Sequence, residues 1–344
     1  MEFGSDFHYL LQYPDLVPFI KDIKSEYRLY AEGRHAFESI LIKENIKRVW
    51  IPSYYCYESI TGIESLGIQI VFYHCSPVSD LREIITSLCI KSKEAILVMN
   101  YFGLHSQVDY SEHDFLIIED HSHDPISDWA LHSNADWCFA SLRKTIPVAD
   151  GGILWSPVGR SLPLEPETSW QAVKNFDYRY SAMKEKTNYL LTGTEFLKNH
   201  YLTVFKDTEE AFSSIPICAI SALSRQIVKS FDLRYWLDLK KRNFEILRSL
   251  LIPDSTYEIL QPLTSNTTPF SLILLFTSQQ KRDAVRRYLI QSQVYPAILW
   301  AVPENTDSES DNFSNRMLSI HCDGRYTPTD MEELACRINK AIKK

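Results

Sequence analysis

Phe115-Leu116-Ile117-Ile118-Glu119-Asp120-His121-Ser122-His123 passes from an apolar run straight into a cluster of ligand-bearing side chains. Four large apolar residues in succession, without the alternation of a half-exposed strand, predict a strand covered on both faces, as in parallel α/β sheets. The carboxyl end of such a strand is where open α/β sheets place their ligands, so Asp120 and His123 stand where chemistry is expected. Lys144 follows 24 residues after Asp120, in Ser141-Leu142-Arg143-Lys144, and Asp150-Gly151-Gly152 comes shortly after. A second apolar strand, Asp136 to Ala140, leads into Ser141, and a third, Gly152 to Trp155, follows the double glycine.

The same alternation extends outward in both directions. Helix Arg34 to Lys43 precedes strand Arg48 to Ile51, helix Tyr55 to Leu66 precedes strand Gln69 to Tyr73, and helix Asp80 to Ile90 precedes strand Ala95 to Met99. Apolar strands separated by helices predict an α/β large domain with a mostly parallel sheet between helices. Beyond Pro157, helical segments run through Lys206 and from Ala219 to Leu251. Strands Tyr257 to Leu260, Phe270 to Phe276, Ala297 to Trp300 and Met317 to His321, with helices Gln280 to Ser292 and Thr329 to Lys343, then predict a smaller C-terminal α+β domain. The expected division is 1–250 for the N-terminal segment, large domain and connecting helices, and 251–344 for the small domain. Thr327-Pro328-Thr329 followed by acids has the chemistry of a helix start. The polar stretch Glu304 to Asn315 reads as a surface loop, and Met1 to Ser5 as an appendage foreign to the fold.

At 344 residues, 45% hydrophobic and 23% charged, the chain is an ordinary globular sequence long enough for a large core. Its net charge of −8 argues against nucleic-acid and anionic-membrane surfaces, which call for clustered basic residues. The run Lys240-Lys241-Arg242 reads as the solvated face of an amphipathic helix. Seven cysteines without close pairs indicate neither a disulfide framework nor a zinc module, so reduced thiols and a cytoplasmic location are expected, with no metal. The acidic N-terminus has none of the features of a signal peptide, and no apolar run reaches membrane length.

An amine, a carboxylate and hydroxyl or amide donors, in this order at strand ends, are what pyridoxal 5'-phosphate (PLP) requires. The amine forms a Schiff base, the carboxylate keeps the pyridine nitrogen protonated, and the donors take the phosphate. Lys144, Asp120 and Ser141 supply one of each. Gly33 and the first amides of the helix that begins with Arg34 and His35 add an anion site.

On these motifs the chain resembles the fold-type I PLP enzymes, and among them the DegT/DnrJ-type sugar aminotransferases. Those enzymes open with Gly-(Thr)-x-Ala-Leu, and Gly33-Arg34-His35-Ala36-Phe37 stands here. Their strand ends Pro-Ser-x-Thr-aromatic and Glu-Asp-x-x-Gln correspond to Pro52-Ser53-Tyr54-Tyr55-Cys56 and to Glu119-Asp120-His121-Ser122-His123. Their Ser before Lys and their Gly-Gly correspond to Ser141, Lys144 and Gly151-Gly152. The resemblance implies that Lys144 holds the cofactor and shuttles the proton, that Asp120 binds the ring nitrogen and that His123 reaches the phenolic oxygen. It implies phosphate contacts from Gly33, Arg34, His35 and Ser141, and Tyr55 as the aromatic cover in place of Cys56. It further implies an aminotransferase that moves an amino group from an amino-acid donor, glutamate or glutamine, to a keto acceptor such as a keto sugar, working as a homodimer.

Several departures shape these expectations. Ser141 and Lys144 are separated by two residues where the family has four, and no clear Asn-x-Arg-Met motif exists. Asp177-Tyr178-Arg179-Tyr180, Asn188 and Asn243 remain open as its replacement. Arg325, in His321-Cys322-Asp323-Gly324-Arg325, reads either as a carboxylate-binding residue or as a surface turn. PLP-dependent lyase or dehydratase chemistry, and a regulatory protein that keeps the fold without turnover, are the alternatives; retention of Lys144 argues against dehydratases that carry histidine there.

Overall fold

The computed structural model describes residues 2–10, 23, 26–110, 113–262, 267–303 and 306–344. Among the described residues twelve strands follow one another as β1 (Phe3–Gly4), β2 (Tyr27–Tyr30), β3 (Arg48–Pro52), β4 (Gln69–Tyr73), β5 (Ala95–Met99), β6 (Leu116–Asp120), β7 (Trp137–Ser141), β8 (Gly152–Trp155), β9 (Tyr257–Ile259), β10 (Leu272–Phe276), β11 (Val294–Tyr295) and β12 (Met317–Ile320). Seven of them form one sheet in the order β2-β8-β7-β6-β5-β3-β4. From β4 to β7 all neighbours are parallel, and β8 runs antiparallel to both β7 and β2. Every residue of β5 and β6 is buried, as their unbroken apolar runs require.

The helices are α1 (Gly33–Lys43), α2 (Leu81–Ser87), α3 (Asp128–His132), α4 (Trp170–Thr192), α5 (Glu195–Phe212), α6 (Ala222–Ser230), α7 (Leu233–Leu250), α8 (Gln279–Gln291), α9 (Ser308–Arg316) and α10 (Pro328–Ile342). Ala36, Phe37, Ile40 and Leu41 make the buried stripe of α1. Phe37 stacks on Phe139 of β7 with ring centroids 5.3 Å apart, which seats the helix start over the sheet's carboxyl end. The chain entering α1 passes so close to β8 that a Cβ on Gly152 would lie 2.2 Å from the Glu32 carbonyl oxygen. Only glycine permits that approach.

A second, antiparallel sheet has the order β12-β10-β9. Period-two alternation divides β10 between two cores: Leu272, Leu274 and Phe276 pack with Phe244 and Leu247 of α7 and with α10, whereas Ile273 and Leu275 join the large core. Thr327 caps α10 with a full capping box to Asp330.

The structure corrects several sequence expectations. Tyr55 to Leu66 is not a helix but two short 3₁₀ turns, Tyr57–Ser59 and Glu64–Leu66; Ile60-Thr61-Gly62 interrupts it with poor helix formers. The helical stretch Ala219 to Leu251 is broken at Asp232, whose side chain caps α7 by accepting from the Tyr235 amide. Ala297 to Trp300 makes one isolated bridge, Ala297 to Ser319, and no strand. Glu304 lies outside the described residues, and most of its expected loop is α9, started by Asp307 accepting from the amides of Glu309 and Ser310. Cap chemistry outweighed polar composition there. Met1 also lies outside the described residues, but Phe3–Gly4 is part of the fold: it pairs with Val294–Tyr295, and Phe3 is 1% exposed.

Candidate active site

Two strand ends and one helix start converge on a cavity of about 320 Å³. Asp120, the last residue of β6, lines it. One carboxylate oxygen accepts the Ser122 amide at 2.8 Å, and the other accepts the Tyr55 hydroxyl at 2.6 Å. Tyr55, placed by the turn after β3, is thereby pinned on Asp120; burial and the adjacent carboxylate push its own pKa well up. The Ser122 hydroxyl accepts the Ser141 amide at 2.8 Å and ties the end of β7 to β6.

Lys144 ends the short 3₁₀ turn Leu142–Lys144 that follows β7, and it lines the same cavity. Its ammonium lies 5.3 Å from the centroid of the Trp300 ring. Arg143 beside it is fixed to Glu209 of α5 by two bonds, at 2.8 and 2.5 Å. Burial opposes the charge on Glu209, but Arg143 and Arg179 outweigh it and hold that carboxyl at about 2. The shortened loop between Ser141 and Lys144 is therefore anchored from outside rather than by its own length.

His123 is 1% exposed and stacked between Phe270 (centroids 4.3 Å) and Trp300 (5.4 Å). Its Nδ1 accepts the Phe102 amide at 2.9 Å, so the neutral ring carries its proton on Nε2. Burial first, then the Lys144 and Lys240 charges, push its pKa well below the ordinary histidine value. Trp300, not His123, forms the cavity wall in this region. A tryptophan in a stretch that reads as a strand gave no sequence signal of this role.

At the α1 end, Gly33 and Arg34 line the cavity with Ser141, and a Cβ on Gly33 would come 3.0 Å from that of Ser141. No side chain caps α1, which leaves its first amides available to an anion. Arg34 bonds Glu32 at 3.2 Å and the Ile215 carbonyl at 3.4 Å. His35 turns away from the cavity to the Ile215 carbonyl at 3.1 Å.

Glu32, also in the wall, is pushed up to about 8 by burial, which outweighs the attraction of Arg34. That shift favours its neutral form near pH 7, which suits a neighbouring anion. In the folded state it keeps its proton while the unfolded chain loses one near pH 4.5, so stability falls as pH rises from there to about 8. Glu32→Gln is expected to stabilise the protein, with a gain that grows across this window to the order of a few kcal/mol. Parallel unfolding midpoints for the two proteins between pH 5 and 8 would refute this.

Behind Asp120, Glu119 is fully buried and accepts four bonds: Trp129 Nε1 at 2.6 Å, Tyr110 hydroxyl at 2.8 Å, His121 Nε2 at 2.8 Å and Cys138 Sγ at 3.3 Å. Glu119, His121 and Cys138 have metal-ligand chemistry and proximity. The carboxylate is saturated by donors, so the cluster reads as a hydrogen-bond network that fixes the strand end.

The remaining sequence candidates lie away from this cavity, with Asp177, Tyr178 and Asn188 on the exposed surface of α4. Arg325 is not a surface turn residue: it grips Asp323 with two bonds of 2.8 Å and donates to the Ser5 and Asp6 carbonyls. Arg179 is 5% exposed and pairs with Asp6 and Glu209, and Asn243 donates to the carbonyls of Asp323 and Tyr326. Lys240 is 2% exposed, which overturns its reading as part of a solvated helix face.

No family model and no curated protein matches the sequence. Solved structures do. Spr1654 from Streptococcus pneumoniae in its PMP-form is 10% identical and superposes on 100% of this chain and 98% of its own, with a TM-score of 0.68. PseC of Helicobacter pylori, an aminotransferase involved in the biosynthesis of pseudoaminic acid, is 11% identical over 100% of both chains, with a TM-score of 0.66. A DegT DnrJ EryC1 StrS aminotransferase from Brucella abortus is 13% identical over 97% of this chain and 92% of its own, with a TM-score of 0.59. The chain has the DegT/DnrJ aminotransferase fold. In this aminotransferase fold the cavity lies at the carboxyl ends of the parallel strands, beside the point where the order β4-β3-β5 reverses direction. Among the described residues no helix is long and apolar enough to cross a membrane.

Proposed function

We propose that the chain is a PLP-dependent aminotransferase that moves an amino group from an amino-acid donor to a keto acceptor, with a keto sugar as the leading acceptor class. One observation carries this reading: Lys144 and Asp120 open on one cavity from neighbouring strand ends, opposite the uncapped start of α1. The donor set fits PLP, with an amine, a carboxylate, the Ser141 hydroxyl and helix amides. When bound, PLP supplies an electron sink for a carbanion at the substrate's reacting carbon.

The chain's own residues do the rest. Lys144 has its ammonium over an aromatic face, without a carboxylate partner among the described residues, and in this reading it carries the proton at the reacting carbon. Asp120 is held by the Ser122 amide and the Tyr55 hydroxyl, so its carboxylate is oriented before any ligand arrives. The Trp300 ring lies over the Lys144 ammonium and forms the cavity wall on that side. The homodimer belongs to the same proposal.

The second reading, a binding or regulatory protein without turnover, is favoured by the Tyr55 hydroxyl that already occupies one oxygen of Asp120. A spectroscopic experiment separates the two. Protein loaded with PLP is expected to be yellow, to lose its visible band on borohydride treatment and to carry the fixed adduct on Lys144 in a peptide map; glutamate is expected to convert the band to that of the pyridoxamine form. A colourless protein indifferent to PLP would end the enzymatic reading, and a band unmoved by any amino donor would favour the second.

A further inference from the structure

A second cavity, also of about 320 Å³, shares Arg143 and Lys144 with the first. Its other walls come from distant parts of the chain, among them Phe7, Phe205, Lys240, Phe270 and Leu299. Five cationic side chains face it, and three are already paired. Arg143 is held by Glu209, Arg179 by Asp6 and Glu209, and Arg325 by Asp323. Among the described residues, Lys144 and Lys240 have no ion-pair partner. Lys240 is the more demanding case. It is 2% exposed on the inner face of α7, its ammonium rests 5.2 Å from the Phe270 ring centroid, and among the described residues no hydrogen bond holds it.

A buried ammonium without a close partner is costly to fold, because the protein gives back too little of its lost hydration. Asp124 and Asp323 act on Lys240 only from beyond ion-pair distance, and burial pushes its pKa down. Asp124 turns one oxygen to the Thr268 amide and has no partner for the other, so it gives Lys240 no direct bond. An arriving anion would supply what the fold leaves out.

We propose that this second cavity binds the carboxylate of an amino-acid or 2-oxo-acid substrate, with Lys240 as its ion-pair partner; that this ligand reacts at Lys144 rests on the PLP reading above. The walls specify the class. With Lys144 committed to the reacting carbon in the PLP reading, Lys240 is the one unpaired ammonium left to match one negative charge, and Phe7, Phe205, Phe270 and Leu299 suit a short carbon chain. Asp6 and Asp323 line the same space and oppose the second charge of a phosphate. Lys144 stands in the same cavity, and the reacting carbon of an amino acid adjoins its carboxylate.

Calorimetric titration of the full chain with 4-methylpentanoate and with its neutral amide, 4-methylpentanamide, tests the proposal without turnover. The wild type is expected to prefer the acid at least tenfold. Lys240→Met, which removes the charge and keeps the length, is expected to lose that preference, and Lys240→Arg to retain part of it. Equal affinity of the wild type for acid and amide, or an undiminished preference in Lys240→Met, overturns the subsite. Should Lys240→Met fail to fold by circular dichroism, the acid preference of the wild type and of Lys240→Arg decides alone, and its absence from both overturns the subsite. The PLP band is read in parallel. A protein that prefers the acid but forms no band keeps the subsite and loses the enzymatic reading, whereas a band without acid preference removes the subsite alone.

Discussion

Lys144→Ala is expected to abolish amino transfer, with a fall in kcat of at least about 10⁴-fold, and to remove the borohydride-fixed adduct. The same side chain is asked to bond the cofactor and to carry the proton, and among the described residues no second lysine lines the first cavity. The fold should hardly notice. Among the described residues the Lys144 ammonium is held by the face of Trp300, a contact worth about 0.5–1 kcal/mol in a partly exposed setting. Loss of activity with an unchanged unfolding midpoint is therefore the expected signature. Lys144→Arg should fail equally, since its guanidinium keeps the charge over Trp300 but does not give up a proton near neutral pH. Activity within tenfold of wild type in either variant would remove Lys144 from the reaction.

The largest expected effect on stability lies one strand position before Asp120. Glu119→Ala is expected to cost about 3–5 kcal/mol, because it leaves Tyr110, Trp129 and His121 with buried donors and no acceptor. Glu119→Gln should fall between, since one carboxamide oxygen replaces two acceptors and its NH₂ group meets donors. The pH dependence has a definite sign. Burial opposes the Glu119 charge, but the hydrogen bond and charge of His121, with Tyr110, outweigh it and hold the folded pKa below its ordinary value. Its contribution is therefore present above about pH 4.5, the unfolded value, and is lost as pH falls through the folded pKa. Denaturant midpoints for wild type and Glu119→Ala should converge on acidification. A loss below about 1 kcal/mol at pH 7 would mean that these donors find other partners.

Asp120 and Lys144 were legible as candidates because Asp120 ends one strand and Lys144 follows another by one short turn, both strands marked as buried by their apolar runs, and strand ends are where parallel sheets expose chemistry. Three of the expected strands, Gln69 to Tyr73, Ala95 to Met99 and Gly152 to Trp155, have the observed limits. Strand β2 was not legible, although its pairing with β8 carries the chain over Gly152 into α1. Its Tyr-Arg-Leu-Tyr is too short and mixed to show a period. Trp300 and Lys240 escaped for another reason. Their local patterns describe a strand and a solvated helix face, and nothing near them in the chain reveals that they meet Lys144 across about 156 and 96 residues.

By itself, then, the sequence determined the layered α/β architecture and singled out Asp120 and Lys144 as the pair proposed to hold a cofactor, since periodicity and strand-end chemistry are local properties of the chain. Only the tertiary structure decided what surrounds that pair. The Tyr55 bond to Asp120, the anchoring of Arg143 by Glu209, the neutral Glu32 beside the α1 amides and the unpaired Lys240 beside Phe270 all depend on long-range packing. Burial and distance set the protonation and partners of those groups, and neither can be read from residue order.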